Sequence, residues 1–244
     1  MNTSPMLEPL KAAILDHARA EMPREACGLI VLARGRARYW PCRNTAPDMN
    51  HFVLAPEDYA AAADTGEIVA VVHSHPHAPV TPSEADRVAC EASGLPWHIV
   101  AVPSELWRTL LPTGYRAPLV GRPFAFGVLD CYSLVRDYFR ETLDLALPEI
   151  PRTDKFWERG ENLYLDHLTE AGFAIVADGP RPHDGILMQI GSPLPNHAAV
   201  YLGDGIILHH LAKRLSCREV YGGFYAKVTT HIVRHNSFRE AIDA

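Results

Sequence analysis

Apolar positions change their rhythm partway along the chain. Up to about residue 110, stretches with helical spacing alternate with short β-branched runs. A helix is predicted over 7–20, strands over 29–33, 37–42 and 51–54, and a second helix over 56–64. The run Ile68-Val69-Ala70-Val71-Val72 predicts a buried strand over 68–73, followed by a helix over 82–93 and a strand over 98–102. Alternation of this kind suggests an α/β sandwich with a mixed sheet. Downstream the order is different. Apolar residues at 134, 135, 138 and 139 mark one face of a helix that starts at Cys131, and a further helix is predicted over 161–171. Strands then follow over 185–190, 197–202, 206–210 and 228–234, an α+β order. Between the halves, 111–123 is rich in Pro and Gly and carries no apolar period, which places a boundary near residue 115 and gives domains 1–114 and 115–244. No internal repeat or low-complexity tract appears.

Composition narrows the class. With 244 residues, 48% hydrophobic and 21% charged, the chain can bury two modest cores. A net charge of −6, with no basic stripe interleaved with aromatics, gives no electrostatic reason to expect nucleic acid. The short basic cluster Lys213-Arg214-Leu215-Ser216-Cys217-Arg218 reads as a solvated loop. Cysteines at 27, 42, 90, 131 and 217 form no Cys-x-x-Cys pair, and their odd number argues against a disulfide framework. No run approaches the length of a membrane span, and Met1-Asn2-Thr3-Ser4-Pro5 has neither the basic start nor the apolar stretch of a signal peptide.

Candidate chemistry is densest between residues 73 and 86. His73 and His75, two apart at the end of a strand, point to one side, and Pro76 ends strand pairing there. Thr81-Pro82-Ser83-Glu84 reads as a helix start, with Thr81 as N-cap, Pro82 at the first helical position and Glu84 completing a capping box. Ser83 and Asp86 then share a helix face. His-x-His alone commonly marks a surface turn or a hydrogen-bonded pair. The proline, the capped helix and the Ser/Asp face shift the weight to metal: two imidazoles and one carboxylate, with a fourth position open to water, are a ligand set of hydrolytic Zn2+.

This His-x-His-Pro run followed by Ser-x-x-Asp resembles the JAMM motif of JAB1/MPN metallopeptidases and meets it without departure. The resemblance implies His73, His75 and Asp86 as metal ligands, Ser83 as a donor to the oxyanion, and an upstream glutamate that deprotonates water. Glu25, in Pro23-Arg24-Glu25-Ala26-Cys27-Gly28-Leu29, fits the place of that glutamate. No local spacing singles it out: Glu21, Glu57 and Glu67 stand as well without the family, and the bland reading is a solvated charge at a helix end.

The second half carries different chemistry. Cys131 stands at a helix start, where the positive end of the dipole lowers a thiol pKa, and Asp130 is placed to cap that helix. As a bland reading, Cys131 is a small buried residue beneath a helix. A partner imidazole comes from the hairpin that opens with His197. If Gly203-Asp204-Gly205 is a three-residue loop, His209 opposes Ala199 and shares the face of His197; if Asp204-Gly205 is a two-residue turn, His210 takes that place. Asp-Cys followed by His-x-x-x-Tyr-x-Gly, with a polar residue twelve beyond the first histidine, resembles the papain-like NlpC cell-wall endopeptidases. That resemblance favours His209 and implies Cys131 as nucleophile, His197 as its base and His209 as the residue that orients it. One departure is that Tyr132-Ser133 follow Cys131 where many relatives have Ser-Gly, which bears on substrate preference.

The two halves in this order resemble a family of phage tail assembly proteins. The likeness implies a phage or prophage product with a JAB1/MPN-like fold followed by a papain-like NlpC fold. It would act on peptidoglycan peptides and on phage tail proteins, a ubiquitin-like tail component among them, in the host cytoplasm during assembly and at the virion tail tip. Nucleic-acid binding and membrane insertion are not expected. The competing class is a structural assembly factor that uses its peptidase folds for docking.

Overall fold

The computed structural model describes residues 5–47, 49 and 51–238. The chain divides into two compact units, Met1–Arg116 and Ala117–Ala244.

In the first unit, helix α1 (Lys11–Glu21) leads into the hairpin β1 (Cys27–Ala33) and β2 (Arg36–Cys42). Arg34 and Gly35 both take positive φ, as a two-residue hairpin turn requires. There follow α2 (Pro56–Thr65), β3 (Glu67–His75), α3 (Glu84–Ser93), β4 (Trp97–Ala101) and β5 (Leu106–Leu110). The sheet order is β2-β1-β3-β4-β5, with β3 and β4 parallel across α3 and the other pairs antiparallel. Along β1 and β3, Ile30, Ala70 and Val72 pack with Ile14 and Ala18 of α1, while Leu29, Val31 and Val71 pack with Ala62 of α2 and Cys90 of α3. Burial on both faces is why these strands read as unbroken apolar runs.

Three expectations for this unit are corrected. No strand forms over 51–54, where only Leu54 pairs, with Asn44. The Asn44 side-chain amide instead bonds the His51 carbonyl at 3.1 Å and the Val53 amide at 3.1 Å, taking groups a strand ladder would use. Helix α3 begins at Glu84, with Ser83 rather than Thr81 as its cap, and Asp86 rather than Glu84 closes the capping box. The edge strand β5, with Leu106 58% exposed, shows no apolar period that would predict it.

The second unit contains α4 (Cys131–Leu143), α5 (Leu163–Asp166), β6 (Phe173–Val176), β7 (Gly185–Met188), β8 (His197–Gly203), β9 (Ile206–His209), β10 (Cys217–Val220), α6 (Gly223–Val228) and β11 (Thr229–His235). Its sheet is antiparallel, in the order β10-β9-β8-β7-β11-β6. Helix α4 buries Leu134, Val135, Tyr138 and Phe139 in a core with Leu187, Ala198, Val200 and Leu208. The expected helix over 161–171 shortens to α5. The basic cluster is not merely a solvated loop, because Cys217 and Arg218 open the edge strand β10 and the buried Ser216 Oγ accepts from the Arg122 amide at 3.1 Å. Charged residues on an edge strand discourage pairing with other chains and hide the strand from an apolar-pattern reading.

Candidate functional sites

In the first unit, β3 delivers both histidines and α3 delivers the carboxylate. His73 Nε2 lies 3.2 Å from His75 Nε2. Asp86 Oδ1 is 3.3 Å from the first nitrogen, and Asp86 Oδ2 is 3.6 Å from the second. Ligands about 2.0–2.1 Å from a tetrahedral zinc ion stand about 3.3–3.4 Å apart, so these separations suit one ion. The imidazole tautomer fits as well. His75 Nδ1 donates to the Pro79 carbonyl at 2.6 Å, which leaves the Nε2 lone pair turned toward His73 and Asp86. His73 is stacked on Phe52 at 4.8 Å and meets the edge of Trp97 at 5.5 Å; its buried Nδ1 has no partner among the described residues, so Nε2 is the ring's one polar outlet.

Asp86 serves two structures at once. Its Oδ2 accepts from the Ser83 amide at 2.7 Å, as the reciprocal half of the capping box, and its Oδ1 is left facing the imidazoles. Burial would raise its pKa, but bonds from His73, His75 and the Ser83 amide hold the carboxyl well below the usual range. Burial lowers the pKa of His75, and this is outweighed by Asp86 and the Pro79 carbonyl, which raise it. Ser83 is exposed; its Oγ accepts from the Asp86 amide at 3.0 Å, which leaves the hydroxyl proton available to donate.

Glu25 comes to the site through strand register. The pairing of Cys27 with His73 continues at Ala26, whose carbonyl accepts from the Ser74 amide at 3.0 Å, so Glu25 lies across from His75. It is 8% exposed, and its charge is among those that raise the pKa of His75. Asn44 fixes this segment and has no signal in the sequence: its Nδ2 donates to the Glu25 carbonyl at 2.9 Å, and its Oδ1 accepts from the Ala46 amide at 2.9 Å.

In the second unit, Asp130 caps α4, accepting from the Ser133 amide at 2.9 Å and from the Gly127 amide at 2.9 Å. A buried Arg152 grips the same carboxylate through Nε at 2.6 Å and Nη2 at 2.9 Å. Cys131 follows, 9% exposed. Its Sγ lies 3.1 Å from the Tyr164 hydroxyl, and the Ala198 amide points at it. The thiol therefore sits beside the His197–Ala198 peptide. No hydrogen bond joins it to the His197 ring. Burial pushes the thiol up and the Asp130 charge adds to this, the opposite direction from the lowering expected at a helix start.

His197 Nε2 meets His209 Nδ1 at 3.2 Å, and His209 Nε2 meets Glu219 Oε2 at 3.1 Å. Burial depresses His197 to about 3 and lowers His209 as well, so both rings are neutral near pH 7. The turn is the two-residue Asp204-Gly205, both at positive φ, yet it is His209 that opposes Ala199. A bulge between Tyr201 and Gly203 shifts the register by one and cancels the change the shorter turn would make. His210 turns away, its Nε2 3.1 Å from the Arg214 carbonyl. Tyr164 and Glu219 had no marker in the sequence; each reaches its site from an element without a motif of its own.

Residues 7–110 match the family model of prokaryotic homologs of the JAB domain, and residues 121–234 match the NlpC/P60 family model. The tail tip assembly protein K of Escherichia phage N15 is 44% identical over 230 residues, covering 93% of this chain and 94% of that one. The protein of the same description from Escherichia phage lambda is 40% identical over 187 residues, covering 76% of this chain and 91% of that one. Solved structures similar to part of this chain include a solution structure of a Desulfitobacterium hafniense protein, 26% identical, covering 43% of this chain and 80% of that one at a TM-score of 0.38. A crystal structure of a JAB1/MPN domain protein from Archaeoglobus fulgidus is 22% identical and covers 45% of this chain and 90% of that one, at a TM-score of 0.30. With a JAB domain followed by an NlpC/P60 domain, and with its identity to the two phage proteins running through both, the chain belongs to the tail tip assembly protein K family.

Proposed function

We propose that this chain is a two-part hydrolase of phage tail assembly. In the first unit His73, His75 and Asp86 hold Zn2+ for cleavage of a peptide or isopeptide bond, and in the second Cys131 cleaves peptide crosslinks of peptidoglycan. The observation that carries the reading is the convergence of two imidazole nitrogens and a carboxylate at 3.2, 3.3 and 3.6 Å, with Glu25 across from one of the ligands. When bound, zinc lowers the pKa of a coordinated water and polarises the scissile carbonyl. Glu25 accepts the proton of the attacking water, and the Ser83 hydroxyl donates to the oxyanion. Such a base typically contributes about 10²- to 10⁴-fold in rate, and such a donor about 10²- to 10³-fold. In the second unit Cys131 attacks as His197 takes its proton, and His209 holds that imidazole. The thiol starts protonated, with its Sγ 3.1 Å from the Tyr164 hydroxyl, so attack requires that its proton first pass to His197. Phage tail proteins, a ubiquitin-like component among them, are the proposed partners of the first unit. The host cytoplasm during assembly and the virion tail tip are the proposed places of action.

A structural reading, with the second unit as a docking module, is favoured by one observation: Cys131 is buried and its pKa raised. Digestion of purified sacculi separates the two. Wild type and Glu25→Ala are expected to release muropeptides and Cys131→Ala to release none; a wild type that releases none retires the thiol half as an enzyme. Metal analysis should find about one zinc per chain, lost on His75→Ala and retained in Glu25→Ala.

A further inference from the structure

The second unit continues its imidazole chain one residue further than the thiol chemistry asks. Glu219 lies on β10, whose register sets Cys217 across from His209 and Glu219 across from Ile207, so both residues flank His209 on one face. Its Oε2 meets His209 Nε2 at 3.1 Å and also accepts from the Tyr225 hydroxyl, while its Oε1 accepts from Arg214 Nη2 at 2.6 Å. The bond from Tyr225 leads in holding the carboxyl down at about 2, so Glu219 is ionised and can only accept.

An obligate acceptor at the end of the chain fixes every proton along it. His209, neutral through burial, must carry its hydrogen on Nε2 to meet the carboxylate, which leaves Nδ1 as an acceptor. His197 must then place its own hydrogen on Nε2 to meet that Nδ1. The lone pair of His197 is left on Nδ1, the one tautomer in which that nitrogen can take a proton from sulfur. We propose that Glu219 is a positioning residue of the thiol half: acting through His209, it selects the basic tautomer of His197. The proposal rests on the thiol-hydrolase reading above and names what makes that imidazole a base.

His209, Cys217 and Glu219 also form a group of three possible metal donors, with ligand atoms within 4.8 Å of one another. Two facts weigh against a cation there. Both Glu219 oxygens already accept hydrogen bonds, and the Arg214 guanidinium places a positive charge beside them.

The test is ¹⁵N NMR of the histidines in the full chain, together with the rate at which iodoacetamide alkylates Cys131, followed by peptide mapping. Wild type is expected to show His197 and His209 as Nε2–H tautomers at neutral pH; an Nδ1–H form at either ring overturns the proposal without any variant. Glu219→Ala should mix the tautomers of His197 and slow alkylation of Cys131 about 10-fold, within the range typical of outer-shell partners. Glu219→Gln, which keeps a carbonyl acceptor for His209, should restore most of the rate and the Nε2–H form. A folded Glu219→Ala with unchanged tautomers, or a folded Glu219→Gln as slow as Glu219→Ala, refutes it. Failure of the thiol-hydrolase reading would look different: correct tautomers in a wild type that releases no muropeptides from sacculi.

Discussion

Replacing Arg152 by alanine should expose how the start of α4 is held. Asp130 is 1% exposed, and its carboxylate takes two bonds from Arg152, at 2.6 and 2.9 Å. Three donors remain without the arginine: the Gly127 amide at 2.9 Å, the Ser133 amide at 2.9 Å and the Ser133 hydroxyl at 3.0 Å. Breaking a buried ion pair by removing one partner costs about 3–5 kcal/mol, because the other charge stays buried and uncompensated. The three surviving bonds place Arg152→Ala at the lower end, about 3 kcal/mol. With a urea m-value of about 1–3 kcal/mol/M, the unfolding midpoint of the second unit should fall by about 1–3 M. Circular dichroism in urea would measure it. The pair also has a pH signature. Burial opposes ionisation of Asp130, but Arg152 and the amide donors win and hold the folded carboxyl below its usual value. Its contribution is therefore complete above the unfolded value of about 3.9 and is lost as pH falls through the folded one. Asp130→Asn combined with Arg152→Met removes both charges and should recover much of the loss. A single variant that costs less than about 1 kcal/mol, or a double variant as unstable as the single, refutes the reasoning.

Gly28→Ala would place a Cβ 2.6 Å from the Trp40 carbonyl and 2.6 Å from the Tyr39 ring, and overpacking of that kind costs about 1–3 kcal/mol, readable as a lower urea midpoint for the first unit. Asn44→Ala removes the amide that holds the Glu25 carbonyl; zinc content should be unchanged while hydrolysis by the first unit falls, and full activity would show that Glu25 needs no such anchor. Alkylation of Cys131 as a function of pH should have its midpoint above the ordinary thiol value of about 8.5, since burial raises the folded pKa; a midpoint near neutrality would mean that the helix end prevails. A chelator should abolish cleavage by the first unit and leave release of muropeptides untouched, and inhibition of both would contradict two separate sites.

How far the sequence reaches depends on the distance over which each residue's placement is decided. His73 and His75 could be paired from strand periodicity alone, and their strand, buried on both faces, announced itself by its unbroken apolar run. Local capping rules are met at the start of α3 by Thr81-Pro82 as well as by Ser83; the choice falls to Ser83, whose amide the Asp86 carboxylate can reach while still facing the imidazoles. The thiol of Cys131 is subject to the same limit. A helix end can be read from sequence, whereas burial beside Tyr164 cannot, and burial pushes this thiol up.

The sequence by itself determined the two-part architecture, the His-x-His-Pro and Ser-x-x-Asp set, the Cys131 helix and the His197 strand, because periodicity, caps and short spacings act within a few residues. The tertiary structure alone decided that Glu25 lies across from His75, that a bulge brings His209 rather than His210 to His197, and that Glu219 and Tyr164 join the second site. These outcomes depend on strand register and on burial between segments far apart in the chain. A shift of one residue there exchanges one face for the other, and no local rule fixes it.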